Sequence, residues 1–146
     1  MLSKATEYAI RALVYIKIQN DKEEKPGFRE IAGEIEAPEQ FTAKILQNFT
    51  RNGLLHSGKG RGGGFFFEQG EEQLTIHAII QIMEGNNYFN QCLFGFNFCD
   101  EKHPCPLHED FIKIWEDFKT LAKVQTIQSL ADKIENKKAY LRREHI

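Results

Sequence analysis

The three cysteines of the chain fall in one segment, CLFGFNFCDEKHPCPLH, spaced Cys92-x6-Cys99-x5-Cys105-x2-His108. Thiolate is a soft metal ligand and imidazole a borderline one. Their concentration in a stretch bent by Gly95, Pro104 and Pro106 points to a loop closed around an inorganic centre. The spacing is not the paired C-x2-C of most structural zinc sites. Wider intervals suit an iron–sulfur cluster, which is bulkier than a single ion. Zinc, a thiol–disulfide switch and three unligated thiols in an acidic loop stay open as alternatives. Direct thiol catalysis is disfavoured, because there is no thioredoxin-like C-x-x-C and no general base placed beside a cysteine.

The elements that must carry this loop emerge from the rest of the chain. At 146 residues, 41% hydrophobic and 27% charged, it can form one domain with a true core plus a pairing arm. No apolar run reaches the roughly 18 residues that a membrane span requires. The opening stretch MLSKATEYAIRAL holds Glu7 and Arg11 inside its apolar run, which a signal peptide would not. A cytoplasmic location follows as an expectation, and there clustered thiols more often bind metal or cycle redox state than form structural disulfides.

The net charge of −2 is unevenly spread. Residues 40–67 contain Lys44, Arg51, Lys59 and Arg61 and no acid, whereas 68–112 hold eight acids against Lys102 alone. One acid-free basic segment in a near-neutral chain suits a nucleic-acid-binding face.

That segment also has the right architecture. Residues 3–18 predict a largely buried helix capped by Ser3, and NDKEEKPG a charged loop. Phe28, Ile31, Ala32 and Ile35 then repeat at helical spacing, Ala37-Pro38-Glu39 breaks the run, and a second helix buries Phe41, Ile45, Leu46 and Phe49 before Gly53 stops it. This is a helix-turn-helix pattern. Its outward face would present Gln40, Thr42, Lys44, Gln47 and Arg51, side chains able to read base edges and grip phosphates. In LLHSGKGRGGGFFFE two short strands, 54–56 and 65–67, flank a glycine-rich tip bearing Lys59 and Arg61 with Gly62 and Gly63, the form of a DNA-contacting wing. A nucleotide-binding phosphate loop fails on context, since no strand-to-helix passage with a Lys-Ser/Thr ending follows.

Thr75 caps a further expected helix ending at Gly85. Beyond the cysteine loop, 107–125 predicts a helix with Phe111, Trp115, Phe118 and Ala122 on one stripe and Ile114, Leu121 and Val124 widening it. So broad an apolar face calls for a second copy of the chain. Thr126 opens a shorter closing helix, and 136–146 reads as a flexible tail.

These stretches together resemble winged-helix regulators of the IscR/NsrR type, the Rrf-two family. The resemblance rests on TEYAIRAL, FREIAGEI, APEQFTAKIL, NGLLHSGKGRGGGF, the three-cysteine loop and the Trp-containing helix after it. It implies a mostly α fold with a β-hairpin wing: a winged helix-turn-helix domain over about 1–84, a cluster loop over 85–106 and dimerisation and closing helices over 107–135. It further implies a homodimer on double-stranded promoter DNA. Its cofactor would be a 2Fe–2S or 4Fe–4S cluster on Cys92, Cys99 and Cys105, sensing cluster supply, nitric oxide or redox state. The first two cysteines are one residue further apart than in the best-known cluster-sensing members. In members ending Cys-x2-His the histidine is the fourth ligand, which favours His108. In nitric-oxide-sensing members an acid of the first helix reaches the partner's cluster, which makes Glu7 the rival.

Overall fold

Local signals set the boundaries of most helices. In the computed structural model, which describes residues 2–143, the Ser3 side chain accepts from the Thr6 N–H and starts α1, Lys4–Asp21. Helix α2 (Phe28–Glu34) and α3 (Glu39–Arg51) follow, with Pro38 as the N-cap of α3. Asn52 caps α3 and Gly53 takes φ +70°, the left-handed turn that glycine makes without strain. Thr75 accepts from the Ala78 N–H to open α4, Ile76–Glu84, which ends at Gly85 with φ +97°. Beyond the cysteine loop lie α5 (His108–Val124) and α6 (Ile127–Glu135), the latter started by a reciprocal Thr126–Ser129 capping box.

The wing is a two-stranded antiparallel hairpin, β1 (His56–Ser57) and β2 (Phe65–Phe66), with His56 opposite Phe66 and Ser57 opposite Phe65. Its first strand starts two residues later than the hydrophobic run suggests. Leu55 is spent on the core rather than on pairing, since it is buried with Ile31, Ile35, Leu46 and Phe49.

Helix α1 is the spine. It packs against α2, α3, α4 and α6, and Ala9, Leu13, Ile16 and Val14 are almost fully buried there. The starts of α4 and α6 are stitched together by Ile76 N–H to the Gln125 carbonyl and Ile127 N–H to the Leu74 carbonyl, both 3.0 Å. The closing helices are thus fixed to the head in one continuous core. After Glu135 the chain turns irregularly with Leu141 half-buried against that core; residues 144–146, the end of the expected flexible tail, lie outside the described residues. No helix among the described residues is long and apolar enough to cross a membrane.

Candidate nucleic-acid interface and metal centre

Helix α3 buries three of the four residues expected inside, Ile45, Leu46 and Phe49, and differs only at its first turn, where Thr42 takes the place of Phe41. The stripe that α3 buries is Thr42, Ile45, Leu46 and Phe49, an i, i+3, i+4, i+7 set that includes a threonine. Thr42 is therefore not on the outward face. It is fully buried, and its hydroxyl donates to the Pro38 carbonyl at 2.9 Å, which satisfies the group without water. Phe41, expected inside, is 39% exposed and meets Tyr8 edge-on at 5.9 Å. Gln40, Lys44, Gln47 and Arg51 are exposed as expected and share the outward surface of α3.

The wing tip is a closed turn. Gly58 and Gly64 exchange two backbone hydrogen bonds at 2.9 and 3.1 Å, and Gly63 N–H reaches the Gly60 carbonyl at 3.0 Å. Lys59 and Arg61 project from it, exposed and, among the described residues, without an ion-pair partner. Gly62 is exposed with φ +78°. Gly63 and Gly64 serve the packing: a Cβ on Gly63 would sit 2.5 Å from the Gly58 oxygen, and one on Gly64 2.1 Å from the Lys25 oxygen.

Sequence reasoning missed what holds this hairpin in place. Asn20, at the end of α1, donates through Nδ2 to the Phe65 carbonyl (3.2 Å) and accepts through Oδ1 from the Phe67 N–H (3.0 Å). Phe65 N–H donates to the Pro26 carbonyl at 2.8 Å, so β2 is bound on its outer edge to the α1–α2 loop. A lone asparagine before a charged loop carries no sign of partners 45 residues away.

The cysteine loop is pinned at both ends. Its entry, Tyr88-Phe89, is buried, and the Trp115 indole N–H of α5 donates to the Phe89 carbonyl at 2.7 Å. Phe111 and Phe118 stack on Trp115 at 5.2 and 5.5 Å, and His77 of α4 stacks on Phe89 at 4.2 Å. Within the loop Gly95 turns the chain at φ +102°, Cys99 N–H donates to the Asn90 carbonyl at 3.0 Å, and His103 Nδ1 donates to Asp100 at 2.9 Å.

These bends bring Cys92, Cys99 and Cys105, each half-buried, near enough for each to bear on another's ionisation. His108, the first residue of α5, places Nδ1 3.3 Å from the Cys99 sulfur. The histidine thus stands with the more distant cysteine as well as following Cys105 in sequence. Burial pushes the Cys92 thiol up, but N–H groups of Phe96, Phe94 and Gly95 and the Cys105 thiol together hold it below its ordinary value. Burial, and then the charges of Cys92 and Cys105, push the Cys99 thiol up. Three thiols and an imidazole on one loop are a donor set whose softness fits an iron–sulfur centre. Although His108 is a base beside a thiol, Cys99 is pushed away from the thiolate form that a nucleophile needs.

Glu7 is exposed in the first turn of α1 and pairs with Lys4 at 3.3 Å rather than with Arg11. Among the described residues it shares no hydrogen bond or ion pair with the cysteine loop of its own chain. Leu93, Phe94, Phe96 and Phe98 leave an exposed apolar rim around the thiols, and Ile114 (64%), Leu121 (54%) and Val124 (66%) leave a second bare stripe along α5.

Comparison with known proteins agrees with this architecture. Residues 2–133 match the profile of the Rrf2 family, described as an iron-dependent transcriptional regulator. The chain is 26% identical over 137 residues to the HTH-type transcriptional regulator NsrR of Geobacillus kaustophilus, covering 93% of this chain and 90% of that one. Among solved structures it is similar to CymR, the global cysteine regulator of B. subtilis (TM-score 0.73, 19% identity, 90% of this chain and 96% of that chain). It is also similar to T. potens IscR (TM-score 0.70, 15% identity, 95% and 91%). Its relatives are DNA-binding regulators and not enzymes. The chain belongs to the Rrf2 family of transcriptional regulators.

Proposed function

We propose that this protein is a cytoplasmic, homodimeric regulator that grips pseudo-palindromic promoter DNA with α3 and the wing, and that an iron–sulfur cluster in its cysteine loop adjusts that grip. The observation that carries the reading is the contact of Cys99 with His108 in the loop that also bears Cys92 and Cys105, a loop locked by Trp115 to the helix with the bare apolar stripe. Cys92, Cys99 and Cys105 would supply thiolates and His108 the fourth ligand, with Glu7 of a second copy as the competitor. When bound, a cluster supplies iron that reacts with nitric oxide and oxygen and exchanges electrons.

The rest belongs to the chain itself. Gln40, Lys44, Gln47 and Arg51 face the major groove, while Lys59, Arg61 and the open backbone at Gly62 follow the phosphates, with Gly63 closing the turn behind them. A dimer formed along Ile114, Leu121 and Val124 sets two recognition helices about one DNA turn, or a multiple, apart. The loop entry is shared between α4 and α5 through His77, Phe89 and Trp115, so a change of loop conformation bears on the angle between head and dimer helix. Iron and acid-labile sulfide analysis of protein purified without air tests the cofactor. Both should be present in the native chain and lost in Cys99→Ser.

The influence of the Cys105 thiol on Cys92 favours one second reading, a cluster-free switch that closes a disulfide between these two thiols. A colourless protein, free of iron and zinc, that gains a Cys92–Cys105 linked peptide on oxidation would establish it in place of the first. One zinc per chain would instead indicate a structural module.

A further inference from the structure

A second cluster of ligating side chains lies away from the cysteines, at the base of the wing. His56 begins β1, Glu68 follows β2, and Glu71 opens the short 3-10 turn (Glu71–Gln73) that leads into α4. His56 Nε2 stands 2.9 Å from Glu71 Oε2 and 3.7 Å from Glu68 Oε2, and one ligand atom from each of the three lies within 4.8 Å of the others. Metal–ligand bonds of about 2.1 Å meeting at roughly 90–110° place neighbouring donor atoms about 3–3.5 Å apart, close to this spacing. The donors are also pre-positioned. The imidazole lies over Phe66 at 5.6 Å, and the other Glu71 oxygen accepts from the Glu68 N–H at 2.6 Å, which aims Oε2 at His56.

We propose that His56, Glu68 and Glu71 form a divalent cation site, for Mn2+ or a cation of similar preference, that clamps both stems of the wing to the turn before α4. One imidazole with two carboxylates suits a cation that accepts nitrogen and oxygen together, and it is chemically distinct from the thiolate loop. A bound cation fixes the stems from which Lys59 and Arg61 project and neutralises two acids beside the DNA-facing tip. It should therefore tighten DNA binding about fivefold, the lower end of usual coupling between two sites. This consequence rests on the wing reading above; the binding of the cation does not.

Titration of the full chain with Mn2+, followed by loss of the free-ion electron paramagnetic resonance signal, tests the site. One Mn2+ per chain at micromolar concentration is expected, unchanged in Cys99→Ser and lost in His56→Gln and in Glu71→Gln. The salt dependence of DNA binding by these last two variants without Mn2+ should match that of the native chain, which shows the wing intact. No stoichiometric Mn2+ uptake by the native chain, or uptake undiminished in both variants, would overturn the proposal. Uptake as expected with no change in DNA affinity would keep the site and overturn the coupling.

Discussion

His108 Nδ1 lies 3.3 Å from the Cys99 sulfur, joining the first turn of α5 to the middle of the cysteine loop. Any change in what Cys99 binds is therefore felt at the start of the helix whose bare stripe faces away from the core. His108→Ala, reconstituted without air, should show an altered visible spectrum and lose its absorbance faster in oxygen, whereas Glu7→Ala should behave as the native chain. A normal spectrum for the histidine variant and a disturbed one for Glu7→Ala would move the fourth ligand to the partner subunit.

The wing makes a quantitative claim about salt. Each phosphate contact contributes about 0.9 to the slope of log affinity against log salt. Lys59→Ala with Arg61→Ala should lower that slope by about 2 and weaken binding to all sequences alike, as measured by fluorescence anisotropy over a salt series. An unchanged slope would remove both side chains from the phosphate backbone.

Thr42 separates stability from specificity. Its hydroxyl is buried against the Pro38 carbonyl, which also accepts the Thr42 N–H at 3.0 Å and so stays satisfied if the hydroxyl is removed. Thr42→Val should shift unfolding by no more than about 1 kcal/mol. Thr42→Ala, which also leaves a methyl-sized void, should cost about 1–2 kcal/mol. Neither should change the preferred DNA sequence in a binding-site selection, whereas Gln47→Ala should. A changed preference at native stability would place Thr42 on the DNA.

The exposed stripe of α5 predicts the oligomeric state. Ile114→Glu with Leu121→Glu leaves the monomer core untouched, because both positions already face solvent. The pair should weaken self-association by about 3 kcal/mol or more, given 1.5–3 kcal/mol per buried aliphatic side chain. Sedimentation should then report one chain where the native protein reports two. Two chains in both would assign the dimer to another face.

What the sequence displayed were features that act over a few residues. Ser3, Thr75 and Thr126 cap helices, Gly53 and Gly85 end them, and the density of thiols marks the loop, because each depends on neighbours in the chain. The exchange of Phe41 for Thr42 at the buried start of α3 is hidden in the sequence, because threonine reads as polar until its hydroxyl finds a carbonyl four residues back. Asn20 was read as loop, although its amide secures the wing strand. The meeting of His56 with Glu71, and of His108 with Cys99 rather than Cys105 alone, depends on how separate segments fold back, and no period or spacing encodes that.

The central claim is that the state of the cysteine loop sets the grip of α3 and the wing on DNA. Its most direct test is one anaerobic preparation, divided in two, with the cluster of one half removed by chelator or nitric oxide, and both halves titrated against one selected promoter sequence. A difference in affinity of at least about fivefold, abolished in Cys99→Ser, is the predicted result. Equal affinity of the two halves, with iron shown present in one and absent from the other, would contradict the account.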